Sequence, residues 1–100
     1  MMKTEVYKLS AKLWIYQGGS PWHFVSIQKK DADIIKKEYI WPKRGFGSIP
    51  VNVVVGKTSW KTSIFPDKKG EYLLPIKKEV RINEGLRAGD KLKILIELIN

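Results

Sequence analysis

Short runs of alternating residues, each closed off by glycine or proline, fill the sequence between Arg44 and Asp90. The clearest runs are Ile49 to Val55, Thr58 to Phe65 and Glu71 to Leu74. Alternation with a period of two is the pattern of a strand with one buried face. Gly56-Lys57, between the first two runs, is typical of a two-residue hairpin turn. Because one isolated hairpin is barely stable, the pattern favours a small domain with several paired strands.

The sequence on either side adds three more predicted strands. Val6 to Tyr16 alternates, and its inward face comprises Tyr7, Leu9, Ala11, Leu13 and Ile15. Trp22 to Ile27 is rich in aromatic and β-branched residues, and Leu92 to Leu98 alternates again. Trp22 and Trp60 are large apolar residues on strands, so we expect both in the core.

Two short helices are predicted between the strands. Lys30 to Tyr39 is expected to begin with Asp31 as N-cap and to bury an apolar stripe of Ile34, Ile35 and Tyr39. Lys77 to Glu84 forms about two turns, with Gly85 placed for a left-handed C-cap. The expected fold class is mainly β: a small six-stranded split barrel with two short helices, in one domain spanning residues 1–100.

Composition narrows the possible classes of function. Nineteen Lys+Arg residues oppose ten Asp+Glu residues, which gives a net charge of +9 that attracts polyanions. Lysine supplies most of this charge, and the same charge also serves solubility. The absence of cysteine excludes disulfides and thiolate chemistry. With no long apolar run and no apolar leader, we expect a cytoplasmic protein with no membrane partner.

Catalytic and cofactor motifs are not found. His23 is the one histidine, and no spacing of carboxylates and hydroxyls suggests a metal site or a Ser–His–Asp set. The run from Gly56 to Ser59 resembles the end of a phosphate-binding loop, but Val51 stands where the first glycine belongs. We therefore expect no metal and no cofactor, and we favour a protein without catalytic chemistry. An orphan enzyme stays open as a weaker alternative, which a strongly perturbed titratable pair in a cleft would support.

Several motifs in a fixed order carry a family resemblance: Trp22, Arg44-Gly-Phe-Gly-Ser-Ile-Pro-Val, Trp60-Lys-Thr-Ser-Ile-Phe-Pro, Gly70-Glu-Tyr-Leu-Leu-Pro, Val80-Arg and Gly89-Asp90. From Val6 to Leu98 the chain resembles the domain of unknown function 1905 family. The resemblance implies a split β-barrel and no assigned activity.

A second resemblance lies within the first. Leu74 to Ile94 is similar to the strand–helix–Gly-Asp–strand hairpin of the AbrB and MazE transcription factors. It implies an AbrB/MazE-like double-split barrel, in which two chains can swap hairpins and bind DNA. A monomer and a homodimer both remain open for this longer chain.

The matching motifs contain the candidate binding residues Arg44, Lys61, Ser63, Arg81 and Trp60. The first hypothesis is a non-enzymatic module that binds nucleic acid or another anion through its basic surface. The alternative is a small-molecule or peptide pocket in the barrel around Trp60, Lys61, Ser63 and Arg81. Structural roles are open as well, since Arg44 suits a tight corner and Arg81 can pair with Glu79 or Glu84.

Exposed aromatic residues offer a third possibility. Trp14, Tyr16 and Trp41 can form a platform on which the bases of a single strand stack, with Lys12 and Lys43 between them. The same residues also suit the cover of a sheet edge or a protein contact.

Replacement of Arg44 tests the first hypothesis. Arg44→Ala is expected to leave the protein folded, because Arg44 lies in a loop, and to abolish binding of labelled DNA in fluorescence anisotropy. Unchanged affinity would remove Arg44 from the site.

Overall fold

The computed structural model of the protein describes residues 6–18, 21–39 and 47–99. Within them the chain forms six strands and two helices. In chain order these are β1 (Val6–Ile15), β2 (His23–Ile27), α1 (Lys29–Glu38), β3 (Ile49–Val55), β4 (Thr58–Pro66), β5 (Tyr72–Pro75), α2 (Lys78–Glu84) and β6 (Lys91–Leu98). The predicted elements are all confirmed, with ends that differ by a residue or two.

The strands close into an antiparallel barrel in the order β1-β2-β5-β4-β3-β6, and β6 pairs back to β1. Three hairpins, β1-β2, β3-β4 and β4-β5, join neighbours, whereas β2 connects to β3 and β5 to β6 across the ring. Because neighbouring strands alternate in direction, the first crossover passes one end of the barrel and the second passes the other. We call the end with α1 the lower end and the end with α2 the upper end.

Side chains from every strand fill the barrel. The inward residues of β3 and β6 are between 0% and 5% exposed: Ile49, Val51, Val53, Val55, Leu92, Ile94, Ile96 and Leu98. Ala32 and Ile35 of α1 and Val80 of α2 belong to the same buried cluster. Small barrels are normally filled in this way, so the interior is a packed core and the helices cover its ends.

The predicted Gly56-Lys57 hairpin is confirmed, and it is tied to α2. Gly56 has a φ of 59°, which favours glycine, and a Cβ there would collide with the Glu84 carboxylate. Glu84 Oε2 accepts hydrogen bonds from Thr58 Oγ1 at 2.6 Å and from Lys57 N–H at 3.3 Å. These bonds hold the turn against the helix at the upper end. The strand–turn–strand context also agrees with the rejection of a phosphate-binding loop.

The predicted N-cap of α1 is wrong, whereas the predicted C-cap of α2 is confirmed. Gln28, not Asp31, occupies the N-cap position of α1, without a side-chain bond, and Asp31 lies in the first turn. Within the helix Ile34 is 43% exposed, whereas Ala32 is buried, so the buried stripe is displaced from the predicted one. Gly85 ends α2 in the left-handed region as predicted, with φ 62° and ψ 40°.

Two large apolar residues lie outside the core against expectation. Trp22 precedes β2 and is 55% exposed, so its assignment to the core was wrong. Ile15, at the upper end of β1, is 40% exposed, although Leu13 on the same face is buried. Trp60 faces inward and packs against the core, but it stays partly exposed. Burial on these strands decreases where they pass beyond the packed interior.

Tyr72 is buried on β5, with the Lys36 ammonium 5.7 Å from its ring centre. Its hydroxyl has no hydrogen-bond partner among the described residues. Burial raises the pKa of Tyr72 above its ordinary value, because the phenolate is poorly solvated there. The unfolded chain therefore loses this proton first, and stability falls as the pH rises through about 10.

Tyr72→Phe tests this account. Removing a buried hydroxyl without a partner is expected to leave the free energy of unfolding at neutral pH unchanged, or to raise it by about 1–3 kcal/mol. Above about pH 10, the free energy of unfolding of Tyr72→Phe should fall less steeply than that of the wild type. Urea unfolding across that range measures both effects, with the exposed Tyr16→Phe as control. A clear loss of stability at neutral pH would show that the hydroxyl has a partner.

Candidate functional site

The outer wall of the barrel is strongly basic. The six strands contain five lysines but only one acidic residue, Glu97. Glu97 is already engaged, because its Oε1 accepts a 2.8 Å hydrogen bond from Asn52 Nδ2. The other described carboxylates lie on the helices, the turns and the loops. Asp33 of α1 is one of them, and its hydrogen bond from Lys29 lowers its pKa. The wall therefore presents little negative charge to a ligand.

Four of the five lysines gather on the outer face of β1 and β6, and we call them the lysine cluster: Lys8, Lys12, Lys91 and Lys93. Lys12 stands directly opposite Lys91, and Lys93 stands opposite Ser10. Among the described residues, none of the four forms an ion pair. Like charges placed opposite each other destabilise a strand pair, so the arrangement favours a bound anion.

A groove of about 380 Å³ runs beside this cluster. Lys8, Ser10 and Lys93 line it together with the backbone turn at Gly56 and apolar residues of β3 and β6. It is open to solvent along its length, and it offers two ammonium groups and a hydroxyl to an extended chain. These are ordinary partners of phosphate oxygens.

Aromatic residues cover the neighbouring part of the wall. A second groove, of about 310 Å³, crosses β1, β2, β4 and β5, and we call it the aromatic groove: Tyr16, Trp22, Phe24, Phe65 and Leu73. Trp22 stacks on Phe24 with ring centres 6.0 Å apart and planes 8° from parallel. Tyr16 meets Phe24 edge to face at 6.4 Å. Tyr16, Trp22 and Phe65 are between 42% and 55% exposed, which leaves ring surface free for a ligand.

Trp14 joins the two surfaces. It lies on the outer face of β1 beside Lys12, two residues away and so about 7 Å along the strand. Its ring packs on Phe24 at 5.3 Å, and its Nε1–H donates a 3.0 Å hydrogen bond to Ser26 Oγ. Trp14 is thereby fixed in place, with Lys12 two residues away on its own strand and Phe24 of the aromatic groove against its ring.

The predicted site residues are not brought into one pocket. Lys61 and Ser63 share the outer face of β4, as the alternation predicted, while Trp60 faces the opposite side. Arg81 lies on α2 at the upper end, where its Nη1 contacts His23 Nδ1. Arg44 lies outside the described residues.

The suggested partners of Arg81 are engaged elsewhere. Glu84 bonds to the hairpin, and Glu79 lies 3.9 Å from Lys77. Arg81 therefore forms no ion pair within the described part of the chain. Its guanidinium keeps N–H donors for another acceptor.

The predicted aromatic platform is present in part, and with different members. Trp14 and Tyr16 lie beside Trp22 and Phe24, which the sequence placed on a separate strand, and Trp41 and Lys43 lie outside the described residues. The alternation of β6 already put Lys91 and Lys93 on its outer face. Their meeting with Lys12 depends on the pairing of the first strand with the last.

The described residues include neither a metal-binding group nor a membrane-spanning helix. These residues contain no group of three His, Cys, Asp or Glu side chains that could hold a metal ion. Across residues 6–18, 21–39 and 47–99, no helix has the length and apolar character needed to span a bilayer.

The fold is thus a small closed barrel with a helix at each end, a packed interior and a basic and aromatic outer wall. The family model described as "Domain of unknown function (DUF1905)" matches residues 10–96. The chain belongs to this family. A comparison with curated proteins finds no match.

Removing one lysine of the opposed pair tests the strain in the cluster. Lys12→Ser is expected to raise the free energy of unfolding by about 0.2–1 kcal/mol at low salt, because it relieves the repulsion from Lys91. At about 1 M salt the gain should vanish, since the charges are then screened. Urea unfolding at both salt concentrations measures the change, with Lys68→Ser as control. If the two substitutions have equal effects, the repulsion arises from the net charge of the protein and not from the Lys12–Lys91 pair.

Proposed function

We propose that this protein is a non-enzymatic module that binds single-stranded nucleic acid on the outer wall of its barrel. In this proposal the phosphates lie along the lysine cluster and the bases stack in the aromatic groove. The observation that carries it is the position of Trp14 on β1, two residues from Lys12 on the same face and in ring contact with Phe24 of the aromatic groove.

Charge supports a polyanion as the ligand. The lysine cluster combines four ammonium groups that have no carboxylate partner among the described residues. A chain of phosphates would neutralise several of them at once and release their counterions, which is the main source of affinity for nucleic acids. Lysine suits this role, because it attracts phosphate as a point charge and needs no base-specific geometry.

The aromatic groove supports a single strand over a duplex. Bases within a duplex are already stacked on one another, whereas those of a single strand are free to stack on protein rings. Such stacking contributes about 1–3 kcal/mol per base and tolerates any sequence. The module is therefore expected to show little sequence preference.

The alternative of a pocket inside the barrel has less support. Side chains with almost no exposure occupy the described interior, and Trp60 faces away from Lys61 and Ser63. The outer wall instead offers charge and open ring surface in one place.

Fluorescence anisotropy tests the proposal directly. A labelled mixed-sequence single strand and the matching duplex are titrated with protein at about 50 mM and 200 mM salt. The single strand is expected to bind more tightly, with a logarithmic salt slope of about −0.7 for each phosphate contact. Preference for the duplex, or no binding of either probe at low salt, would contradict the proposal.

A pair of charge variants locates the phosphates. Lys12→Ser with Lys93→Ser removes half of the lysine cluster, and the control Lys30→Ser with Lys68→Ser removes the same charge near the lower end. The cluster variant is expected to reduce the size of the salt slope by about 1.4, whereas the control keeps the slope of the wild type. Equal slopes in the two variants would show that binding depends on net charge alone.

A second pair of variants tests stacking. Trp22→Ala is expected to weaken single-strand binding by about five-fold or more, the equivalent of about 1 kcal/mol, because it removes one ring. Ile34→Ala, which truncates an exposed apolar side chain on α1, serves as control. Loss of affinity for the duplex to the same extent would argue against stacking.

A further inference from the structure

A third groove, of about 300 Å³, lies at the upper end where β2 meets α2, and we call it the Arg81 groove. Its walls combine Trp22, His23, Lys77, Lys78 and Arg81 with Pro21 and Ile76. None of the carboxylates in the described part of the chain lines it. The nearest acidic neighbour on α2, Glu79, has a side chain that is 83% exposed and lies 3.9 Å from Lys77. The groove therefore gathers cationic and imidazole groups around an open space.

Hydrogen bonding at His23 is incomplete without another acceptor. His23 Nδ1 lies 2.9 Å from the Pro21 carbonyl oxygen and also contacts Arg81 Nη1. A ring nitrogen carries either a proton or a lone pair, so it can donate to the carbonyl or accept from the guanidinium, but not both. An anion beside Arg81 would accept from the guanidinium and leave Nδ1–H free to bond Pro21. The geometry thus favours an anionic ligand at this position.

Trp22 belongs to both the Arg81 groove and the aromatic groove. Its ring stacks on Phe24 on one side, and 55% of the residue remains exposed. A ligand that fills both grooves must carry a flat ring next to an anion. A nucleotide has this chemistry, since its base stacks on aromatic rings and its phosphate accepts several N–H donors.

We infer that the Arg81 groove and the aromatic groove form one nucleotide site, in which a phosphate contacts Arg81 and the neighbouring base stacks on Trp22. This inference rests on the proposed function and adds a phosphate contact at Arg81, a residue outside the lysine cluster. A single strand would then cross the aromatic groove between two basic surfaces. The phosphate can belong to a free mononucleotide or to the strand itself.

Binding of adenosine 5′-monophosphate (AMP) and of a labelled single strand tests the inference. The variants are Arg81→Ala and Lys78→Ser, and the control is Arg87→Ala, which removes the same charge from a loop at the same end. Affinities come from calorimetry for AMP and from anisotropy for the strand. The indole N–H signal of Trp22, assigned with Trp22→Phe, reports in NMR whether a ligand reaches the ring.

Arg81→Ala is expected to weaken binding about ten-fold or more, as the loss of a charge-assisted hydrogen bond would. Lys78→Ser, an exposed position that spares the fold, should weaken it in the same direction, and Arg87→Ala should not. AMP should shift the Trp22 signal, and adenosine should bind wild type and Arg81→Ala alike. An effect on both ligands indicates a site for free nucleotides, and an effect on the strand alone assigns the phosphate to the strand. Either result supports the inference.

Three results would overturn it. If Arg81→Ala and Arg87→Ala bind each ligand with equal affinity, Arg81 makes no specific contact with the phosphate. A Trp22 signal that neither AMP nor the single strand shifts would show that no base stacks on the ring. Tighter binding of O-phosphotyrosine than of AMP would indicate that the site takes a phosphorylated side chain and not a nucleotide. If Arg81 matters for AMP while the lysine cluster does not matter for the strand, the proposed function fails and this inference stands.

Discussion

Pairing between the first and the last strand is the interaction on which this structure depends. β6 pairs with β1 from Val6 opposite Glu97 to Lys12 opposite Lys91, and it also pairs with β3. Without β6, β1 and β3 would each have an unpaired edge, and the inward faces of five strands would lose their enclosure. Closure therefore creates the packed interior and, at the same time, the continuous outer wall.

The helices cover the two ends of the barrel, and buried side chains fill its described interior. The proposed function therefore uses the outer wall. What distinguishes this wall is the separation of its charges, with lysines on the strands and nearly all described carboxylates on the helices, turns and loops. In the proposed function, Lys12 and Trp14, two residues apart on the same face of β1, link the lysines to the aromatic residues.

Much of the fold could be predicted from local sequence. The alternation of Ile49 to Val55 and of Leu92 to Leu98, the glycine at the hairpin and the glycine after α2 each depend on residues close by in the chain. Errors occurred where tertiary contacts decide burial. On α1, Ala32 is buried and Ile34 is exposed, whereas the pattern predicted that Ile34 is buried. Trp22 is exposed, although its size suggested a core residue.

The candidate site was harder to predict than the fold. Lys91 and Lys93 have no special spacing relative to Lys12, and only the β1–β6 register brings them together. Phe65 and Leu73 likewise reach Trp22 through the pairing of β4 with β5. Motif reasoning selected Lys61, Ser63 and Trp60 because they lie in one family motif, although Trp60 faces the side of β4 opposite to Lys61 and Ser63. Sites made by strand register are invisible to a search along the chain.

Barrel closure also sets the order in which the protein can fold. The β1–β6 pair joins positions near opposite ends of the described chain, so the loop that it closes is nearly as long as the domain. Contacts of such high sequence separation slow folding, because the entropy of loop closure is lost before the pairing compensates for it. During synthesis the β3–β4 hairpin can form early, but the barrel cannot close until β6 has left the ribosome. Until then β1 and β3 expose unpaired edges, and this interval is when the chain is most prone to aggregation.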